Sequence, residues 1–477
     1  MSTLTTALEV PAVVRGEVVT ADLVAFDTGS GEQFFVPDPI RLVDRLPLAD
    51  PGSLRDLAAL SFDEIVEYLA ELGVRLALAD NAYLQQAVAC SDMWSDATRP
   101  VVEQQYAQLH RLFEPAIVRE AAERAIGIDY LEGWQEVALA GGGTAAVHAM
   151  GARVVHIIPG NTPAVAALTV MRNAITRSDA IVKSPSNDPL TTAAIARTMV
   201  DMAPDHPLTR HLAVAYWKGG DAAVEQRLYR PQHVEKIVAW GGVASVKHVT
   251  RYLQPGLELI TLDPKRSATI IGPEAFADEQ TLRAVARTAA ADVGTGNQLY
   301  CVNARLIFAI TGTDAAGIDR AEQLGRLVYE EIQALPAGQS TPAKRFDPAL
   351  RAYIDALRVG SDWHRVIGGE RDEGAVIVST LDEPVDFYPA LGGRVANVVP
   401  VDSVDDILRH INAYTQTVGI YPDALKSELR EVLPFYGAQR LVSLGEATNL
   451  ASPGLPQDGI EPLRRSVKWI VDESSAH

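Results

Sequence analysis

One of the two cysteines of the chain lies in a stretch whose residue types could support nucleophilic chemistry. Residues 294–308 read GTGNQLYCVNARLIF, and Cys301 follows two glycines and the amide pair Asn297 and Gln298. An isolated cysteine before an apolar run is most often a small buried hydrophobic residue. Here no strong helix or strand signal appears before Val302. The pattern therefore predicts a thiol at the end of a loop, just before a strand.

A second candidate lies in HIIPGNTP, residues 156–163, which ends a predicted strand and begins a predicted helix. The side-chain amide of Asn161 at such a junction can donate a hydrogen bond to an oxygen that becomes negative during a reaction. The alternative is an ordinary turn or helix N-cap residue, and this segment taken alone favours that alternative.

Three further predicted strands end in lysine or glycine, within AIVKSPSND, AYWKGGDA and AWGGVASV. A lysine at the carboxyl end of a parallel strand is placed to meet a ribose or a phosphate, although solvated surface lysines are common. None of these segments is a GxGxxG fingerprint, and each glycine pair alone is explained by turn geometry. Because successive strands end this way, we expect the residues to line one crest of a sheet. They are Lys183, Lys218, Gly219, Gly220, Gly241 and Gly242.

The elements that must position these residues alternate from about residue 154 onward. Short apolar runs such as VVHIIP and KIVAWG are separated by helical patterns such as AVAALTVMRNAITR and PLTTAAIARTMVDM. Continuous apolar runs are typical of buried parallel strands, and crossover helices between them indicate an open α/β sheet that binds ligands at the carboxyl ends of its strands. The fold class is therefore α/β, with a nucleotide-binding architecture.

A second α/β segment follows this sheet, whereas short strands and then helices precede it. The chain is thus predicted to have four regions. They are a β segment at 1–53, a helical lead-in with the dinucleotide-binding α/β domain at 54–265, a catalytic α/β domain with the cysteine at 266–440, and a C-terminal segment at 441–477 that packs back on the core.

Composition excludes several classes of function. The 477 residues carry a formal net charge of −19, which disfavours nucleic acid and anionic membrane surfaces as partners. Two cysteines cannot build a disulfide framework, and ten scattered histidines without an HExxH pair do not suggest a metal. The N-terminal sequence lacks a secretory pattern, and no stretch reaches the roughly 18 apolar residues of a membrane span. We expect a cytoplasmic protein.

The order of the motifs resembles that of the aldehyde dehydrogenase superfamily over roughly residues 154–477. A strand–PGN–helix, a strand–KSPS–helix and two glycine turns are followed by a loop cysteine with Arg305 four positions later. HIIPGNTP is similar to the His-containing Gly-Asn-x-Pro motif of the acyl-CoA reductase branch, which includes the fatty-acid reductase of bacterial luminescence. The C-terminal GAQRLVSLGEATNLASPGLPQDGIEPLRRSVKWIV resembles the closing Gly, Asp-Gly and Arg-x-x-x-Trp pattern of that branch.

The resemblance implies an aldehyde-dehydrogenase-like fold with two doubly wound α/β domains, one for the cofactor and one for catalysis. It assigns Cys301 as the nucleophile, with Asn161 and the Cys301 backbone N–H as the oxyanion hole. Gln298 and Arg305 match residues that flank the family thiol, and we interpret their roles as structural.

The resemblance also implies a dinucleotide site. KSPS matches the cofactor-ribose motif, and Gly241 matches the glycine beneath the pyrophosphate. The predicted cofactor-binding residues are Pro159, Lys183, Ser186, Lys218, Gly219, Gly241 and Gly242.

One departure from the superfamily concerns the fate of the acyl-enzyme. Dehydrogenases that hydrolyse their thioester carry a glutamate in a Glu-Leu-Gly-Gly segment, and ITLDPKRSATII places Leu262 near that position. Without a base to activate water, the thioester survives until coenzyme A or hydride takes the acyl group. Asp263 and Glu258 are close by in sequence, and either could restore such a base.

Another departure concerns the cofactor. The superfamily's Lys-Pro-Ser-Glu uses its glutamate on the 2′-hydroxyl of NAD ribose, whereas KSPS offers Ser186. Loss of that carboxylate removes a repulsion against a 2′-phosphate, and Lys183 and Lys218 could attract one. NADPH is therefore predicted in preference to NAD.

Together these features predict an acyl-CoA reductase that forms a fatty aldehyde from acyl-CoA and NADPH through an acyl-thioester on Cys301, with coenzyme A as the leaving group. The alternative is an NAD(P)-dependent dehydrogenase of a smaller aldehyde, which could be CoA-acylating. We expect a homo-oligomer and an acyl-transferring or acyl-activating partner enzyme. The sequence does not identify the base that would deprotonate the thiol.

Overall fold

The structure, a computed structural model, describes residues 8–28, 32–360, 362–449 and 451–473. The chain divides into two compact units. The first consists of Met1–Ser95, Gln105–Asp263 and Ala451–His477, and the second consists of Asp96–Gln104 and Pro264–Leu450. The four regions predicted from the sequence divide the chain more finely than these two units, and that division stays a prediction. The outermost residues of the predicted regions, 1–7 and 474–477, lie outside the described ranges.

Strands β1 to β20 of the described chain are Leu8–Glu9, Ala12–Val14, Glu17–Val19, Leu23–Asp27, Gln33–Pro37, Gln135–Ala138, Thr144–Met150, Arg153–Ile157, Asp179–Lys183, Leu212–Ala215, Lys236–Trp240, Glu258–Leu262, Arg266–Ile271, Ala304–Ile310, His364–Gly368, Ala375–Ser379, Val395–Val401, Thr415–Tyr421, Arg440–Ser443 and Lys468–Glu473.

Helices α1 to α19 of the described chain are Pro39–Leu42, Arg55–Ala58, Phe62–Arg75, Ala82–Trp94, Arg99–Ala107, Pro115–Ala125, Ile128–Glu132, Ala164–Ile175, Thr191–Met202, Pro207–Arg210, Ala222–Leu228, Val243–Val249, Glu279–Gly294, Ala315–Ala334, Pro348–Gly360, Val404–Leu408, Asp423–Leu429, Leu433–Tyr436 and Pro462–Ser466. None of these helices has the length and apolar character that crossing a bilayer requires.

The first unit is built on a seven-stranded sheet in the order β12-β11-β8-β9-β10-β2-β3. Strands β8 to β12 are parallel, and their apolar runs are buried because helices cover the sheet. The N-terminal strands β2 and β3 extend the sheet as antiparallel edge strands. Two of the N-terminal strands thus complete this sheet, while the other three form a sheet of their own.

Two smaller sheets belong to the same unit. Strands β1, β5 and β4 form one, and β20, β7 and β6 form the other. The C-terminal strand β20 pairs antiparallel with β7 along six residues. Arg465, in helix α19, donates to Glu258 at the start of β12. Residues 452–473 thus pack on the first unit.

The second unit has a seven-stranded sheet in the order β15-β16-β17-β14-β13-β18-β19, in which only the β15–β16 pair is antiparallel. Helices α13 and α14 cover one face with Leu and Ala side chains. A second apolar cluster, which includes residues of α16 and α17, covers the other face. This arrangement confirms the predicted α/β fold with two sheet-containing parts.

Candidate active site

Four neighbouring parallel strands of the first unit end at the same position in the sheet register. Lys183, at the end of β9, pairs in register with Ile157 of β8 and Ala215 of β10, and Ile157 pairs with Ala239 of β11. The chain passes from β8 to β9 and β10 on one side and then places β11 on the other side of β8. Open α/β sheets bind ligands at such a topological switch point.

The segments that follow these strands carry every residue predicted to bind the cofactor. Pro159, Ser186 and Gly241 are half-buried, Lys183 is buried, and Lys218, Gly219 and Gly242 are exposed. The structure thus brings the predicted cofactor-binding residues to one edge of the first unit's sheet.

Asn161 lies in the bend between β8 and α8, and it is half-buried. Helix α8 has Pro163 at its N-cap position, and no side chain caps its first turn. The interpretation of Asn161 as a helix N-cap is therefore wrong. The amide Nδ2 of Asn187 donates to the carbonyl oxygen of Gly160 at 2.9 Å. A Cβ atom on Gly160 would lie 2.1 Å from Asn187 Oδ1, so a larger residue at this position would displace the Asn187 side chain.

Lys183 is a cation held in a mostly apolar setting. Its ammonium group lies 5.5 Å from the ring centroid of Tyr216 and 5.8 Å from that of Trp217. Burial lowers the pKa of Lys183 to about 8, while the negative charge of Glu225 opposes that shift. Among the described residues, no carboxylate forms a salt bridge with this ammonium group. A phosphate oxygen at the sheet edge would supply the missing negative partner.

Sequence reasoning missed Glu225, a buried carboxylate on helix α11. It accepts hydrogen bonds from the backbone N–H of Gly220 at 3.1 Å and from the hydroxyl of Tyr252 at 2.9 Å, and its Oε2 atom lies 2.6 Å from Nε2 of His248. These contacts fix the glycine turn after β10 against helix α12. No local sequence pattern indicates this cluster, because its members come from two separate segments, 220–225 and 248–252.

The glycines of this edge leave room for a ligand. A Cβ atom on Gly219 or Gly242 would meet no atom within 4 Å. Backbone that faces open space allows a dinucleotide phosphate to approach closely. Lys183, which forms no salt bridge with a described carboxylate, could neutralise that phosphate at the same edge of the sheet. The residues present therefore fit a nicotinamide dinucleotide. In contrast, the described ranges contain no group of three or more His, Cys, Asp or Glu side chains that could hold a metal ion.

Cys301 lies in the second unit, in the turn before β14, as the sequence predicts. Neither cysteine forms a disulfide. Cys90 is a core residue of the first unit, where burial raises its pKa. Cys301 is only partly buried, and its carbonyl oxygen accepts a hydrogen bond from Ser267 Oγ at 2.8 Å.

The backbone before Cys301 adopts an unusual conformation. Gly296, Asn297 and Gln298 have φ angles of 65°, 56° and 61°, in the left-handed region that non-glycine residues rarely occupy. Strain of this kind persists only where surrounding contacts impose it, and it is frequent at functional sites. Asn303 imposes part of it, since its Nδ2 donates to the carbonyl oxygens of Asp292 and Thr295.

The side chain of Gln298 also helps to impose this left-handed backbone conformation. Its Nε2 donates to the carbonyl oxygens of Ala304 at 2.9 Å and Val395 at 2.8 Å, and its Oε1 accepts from the N–H of Val395 at 2.8 Å. The side chain is buried and ties the cysteine loop to strands β14 and β17. These contacts agree with a structural role for this residue.

Replacing Gln298 with alanine should lower the free energy of unfolding of the second unit by about 3 kcal/mol, because two carbonyls and one N–H would lose their buried partner. Urea denaturation followed by circular dichroism measures the change. Gln280 is exposed on helix α13, and its replacement with alanine should change stability by less than about 0.5 kcal/mol. Equal losses for both variants would show that Gln298 does not hold the loop.

The structure separates the candidates for a water-activating base. Leu262 is buried at the end of β12. Glu258 lies at the opposite, amino end of that strand, where Lys236 and Arg465 bind both of its carboxylate oxygens and their charges hold its pKa low against the effect of burial. Glu258 is therefore unsuited as a base. Asp263 directly follows β12, at the carboxyl edge of the sheet. It therefore stays a candidate for the base that would activate water.

Comparison with known families gives a match over most of the chain. The family described as acyl-CoA reductase (LuxC) matches residues 57–469. The chain is 28% identical over 333 residues to the long-chain acyl-protein thioester reductase of Photorhabdus luminescens, which covers 68% of this chain and 64% of that protein. It is 29% identical over 322 residues to the enzyme of the same name from Photobacterium phosphoreum, covering 67% and 62%. The chain thus matches less than two thirds of the length of these relatives.

Solved structures show the same fold at low sequence identity. An indole-3-acetaldehyde dehydrogenase in complex with NAD⁺ superposes with a TM-score of 0.73 at 15% identity, covering 98% of this chain and 97% of that one. An NADP-dependent glyceraldehyde-3-phosphate dehydrogenase from Bacillus halodurans C-125, in complex with NADP, gives 0.72 at 13% identity, covering 98% and 99%. The aldehyde-dehydrogenase-like fold implied by the sequence motifs is confirmed.

Proposed function

The chain belongs to the acyl-CoA reductase (LuxC) family, and we propose that it reduces a long-chain acyl thioester to an aldehyde through an acyl intermediate on Cys301. The observation that carries this proposal is the cysteine loop. A partly buried thiol follows three residues in the left-handed region, and buried amide side chains hold that loop. Such positioning is costly for a cysteine that only fills space.

In the proposed reaction, the Cys301 thiolate attacks the thioester carbonyl carbon and the carrier thiol departs. The backbone N–H of Cys301 and the amide of Asn161 are proposed to stabilise the oxyanion that forms in this step. The residues at the carboxyl edge of the first unit's sheet would hold a reduced nicotinamide dinucleotide, which would supply a hydride for the acyl carbon. The resulting thiohemiacetal oxyanion collapses, the aldehyde leaves, and Cys301 regains its electron pair as a thiolate.

We propose that the acyl group on Cys301 is reduced and not hydrolysed. The residue nearest in sequence to the base of hydrolytic dehydrogenases is Leu262, which is buried and apolar, and Asp263 is the alternative base. A thioester with no positioned base for water waits for hydride or for a thiol. An aldehyde, and not an acid, is therefore the proposed product.

The proposed carrier is coenzyme A, and the proposed cofactor is NADPH. Proteins named long-chain acyl-protein thioester reductases are relatives of this chain, so an acyl-protein donor is the competing carrier. An acyl-transferring partner enzyme would supply such a donor. We propose a homo-oligomer in either case.

A panel of thioesters tests the function. Palmitoyl-CoA, acetyl-CoA and a palmitoylated protein cysteine are each incubated with the full chain and with NADPH or NADH, and the aldehyde is trapped as a hydrazone. We expect palmitoyl-CoA with NADPH to give the highest kcat/KM. Aldehyde oxidation to acid without any effect of coenzyme A would favour the alternative, a dehydrogenase of a small aldehyde.

Lys183 provides a test of the cofactor proposal. Lys183→Met should weaken NADPH binding by about tenfold or more, because a charge-assisted hydrogen bond is worth roughly 1.5–3 kcal/mol, and should weaken NADH binding less. In the wild-type protein, NADPH affinity should fall as pH rises through about 8, since Lys183 loses its charge there. Calorimetric titration of the protein with each cofactor measures both effects.

The matched control for this test is Lys426→Met, in helix α17 of the second unit, where the ammonium donates to Ser443. It should leave both affinities unchanged. Equal weakening of NADPH and NADH by Lys183→Met would contradict recognition of the 2′-phosphate.

A further inference from the structure

The glycine turn after β10 lies beside an imidazole ring. A Cβ atom on Gly220 would lie 3.6 Å from Cε1 of His248, and one on Gly219 would face open space. His248 is on helix α12, which begins directly after the next glycine pair, Gly241 and Gly242. The ring is therefore next to two segments that are predicted to bind the cofactor, although no sequence pattern singled it out.

One nitrogen of this ring is fixed by a buried carboxylate. Nε2 of His248 lies 2.6 Å from Oε2 of Glu225, whose side chain is 2% exposed. The same carboxylate accepts from the N–H of Gly220 at 3.1 Å and from the hydroxyl of Tyr252 at 2.9 Å. An ionised carboxylate can only accept hydrogen bonds, so Nε2 carries the hydrogen of this contact. Glu225 thus fixes both the orientation of the ring and the conformation of the turn.

The second nitrogen of the ring, Nδ1, is available to a ligand. Among the described residues it has no hydrogen-bond partner, and the side chain of His248 is 20% exposed. An imidazole that donates through Nε2 can take a proton from solvent at Nδ1, and both of its nitrogens are then donors. In that form the ring can donate to an anionic oxygen at the turn.

The charges beside the turn favour an anion. Lys183 ends the neighbouring strand β9, and Lys218 directly precedes the two glycines. Neither lysine forms a salt bridge within the described ranges. Two carboxylates lie beside the turn, and both already accept hydrogen bonds: Glu225 from the three donors of its cluster and Asp221 as the N-cap of helix α11. A phosphate would therefore meet positive charge that no nearby carboxylate neutralises.

We propose that His248 is a phosphate ligand of the dinucleotide, donating from Nδ1 to a phosphate oxygen, and that Glu225 is the residue that positions its ring. The inference rests on the proposed function in one respect, which is that the ligand is a nicotinamide dinucleotide. Such a ligand offers two phosphates of the same chemistry. NADH and NADPH share the pyrophosphate, whereas only NADPH carries the 2′-phosphate.

Calorimetric titration of the full chain with NADPH and with NADH tests this proposal without turnover. His248→Gln removes the second donor and keeps a side chain that can still donate to Glu225. We expect NADPH to bind about tenfold more weakly, the effect of losing one charge-assisted hydrogen bond. An equal loss for NADH would identify the pyrophosphate as the ligand, and an unchanged NADH affinity would identify the 2′-phosphate. Unchanged affinities for both cofactors would overturn the proposal.

Tyr252→Phe is the matched control for the geometry of the cluster. The hydroxyl of Tyr252 also donates to Glu225, so this variant loosens the same carboxylate and leaves the imidazole in place. Both cofactor affinities should stay close to those of the wild-type protein. Losses as large as those of His248→Gln would show that the cluster, and not a phosphate contact of the ring, accounts for the effect, and they would overturn the proposal.

Chemical modification gives a second measurement that does not depend on the folding of a variant. Diethyl pyrocarbonate acylates unprotonated imidazole nitrogens, and Nδ1 is the nitrogen of His248 that Glu225 does not cover. Peptide mass spectrometry should detect the adduct on His248 in the free protein and a several-fold lower yield with saturating NADPH. Equal yields with and without the cofactor would overturn the proposal.

Failure of this inference is distinguishable from failure of the proposed function. Unchanged affinities in His248→Gln together with normal aldehyde formation would reject the phosphate contact alone. Weakened cofactor binding in that variant, with no acyl transfer to Cys301 from any thioester in the wild-type protein, would reject the proposed reaction alone. A wild-type chain that binds neither cofactor would reject both.

Discussion

Replacing Cys301 with alanine should reduce aldehyde formation by about 10⁴-fold or more, because removal of a covalent nucleophile leaves only the contribution of binding and oxyanion stabilisation. Binding of the proposed cofactor NADPH should not change, since the residues predicted to bind it lie in the other unit. The rate is measured as aldehyde formed from palmitoyl-CoA and NADPH, and calorimetric titration measures cofactor binding.

Cys90→Ala is the matched control for this variant. That thiol is buried in helix α4 of the first unit, so its loss should cost some stability and leave the rate within about twofold. A Cys301→Ala protein that is folded, binds NADPH and turns over at the wild-type rate would exclude covalent catalysis by this residue.

Replacing Asn161 with alanine should lower kcat by about 10²–10³-fold with little change in KM, because an oxyanion donor acts mainly in the transition state. Asn161→Asp should be no better than alanine, since a carboxylate repels the developing negative charge. Steady-state kinetics with palmitoyl-CoA and NADPH test both variants, and circular dichroism confirms that they fold.

Asn187 offers a matched control in a neighbouring segment, because its amide is engaged by the carbonyl oxygen of Gly160. Asn187→Ala should loosen the backbone beside Asn161 and cost less than about tenfold in kcat, the effect of losing one neutral hydrogen bond. If both variants lost the same activity, loop geometry and not oxyanion stabilisation would explain the effect of Asn161.

Local patterns in the sequence predict much of the fold. Strands β8, β9 and β11 are continuous apolar runs flanked by helical patterns, so their type and their parallel arrangement are set by nearby residues. The position of Cys301 between a loop and strand β14 is also local, because glycine and amide residues tolerate the turn that precedes it. The resemblance to a known superfamily then places the other α/β unit and the expected roles of its residues.

Long-range features are absent from such patterns. Strand β20 pairs with β7 across more than 300 residues of sequence, and nothing in Thr144–Met150 indicates that partner. Of the local alternatives for Asn161, an ordinary turn or an N-cap residue, only the N-cap is wrong, because helix α8 begins at Ala164 with Pro163 as its N-cap, and helix boundaries are poorly defined by composition. Glu225 becomes important only when two distant segments fold together, so its burial and its partners cannot be seen in the sequence.

The most direct test of the central claim is the intact mass of the wild-type protein after incubation with palmitoyl-CoA in the absence of reductant. We predict a mass increase equal to one palmitoyl group, located on the peptide that contains Cys301 and removed by NADPH as the aldehyde appears. An unmodified protein that still forms aldehyde after NADPH is added, or an acyl group carried by another residue, would contradict the claim that this thiol carries the substrate through the reaction.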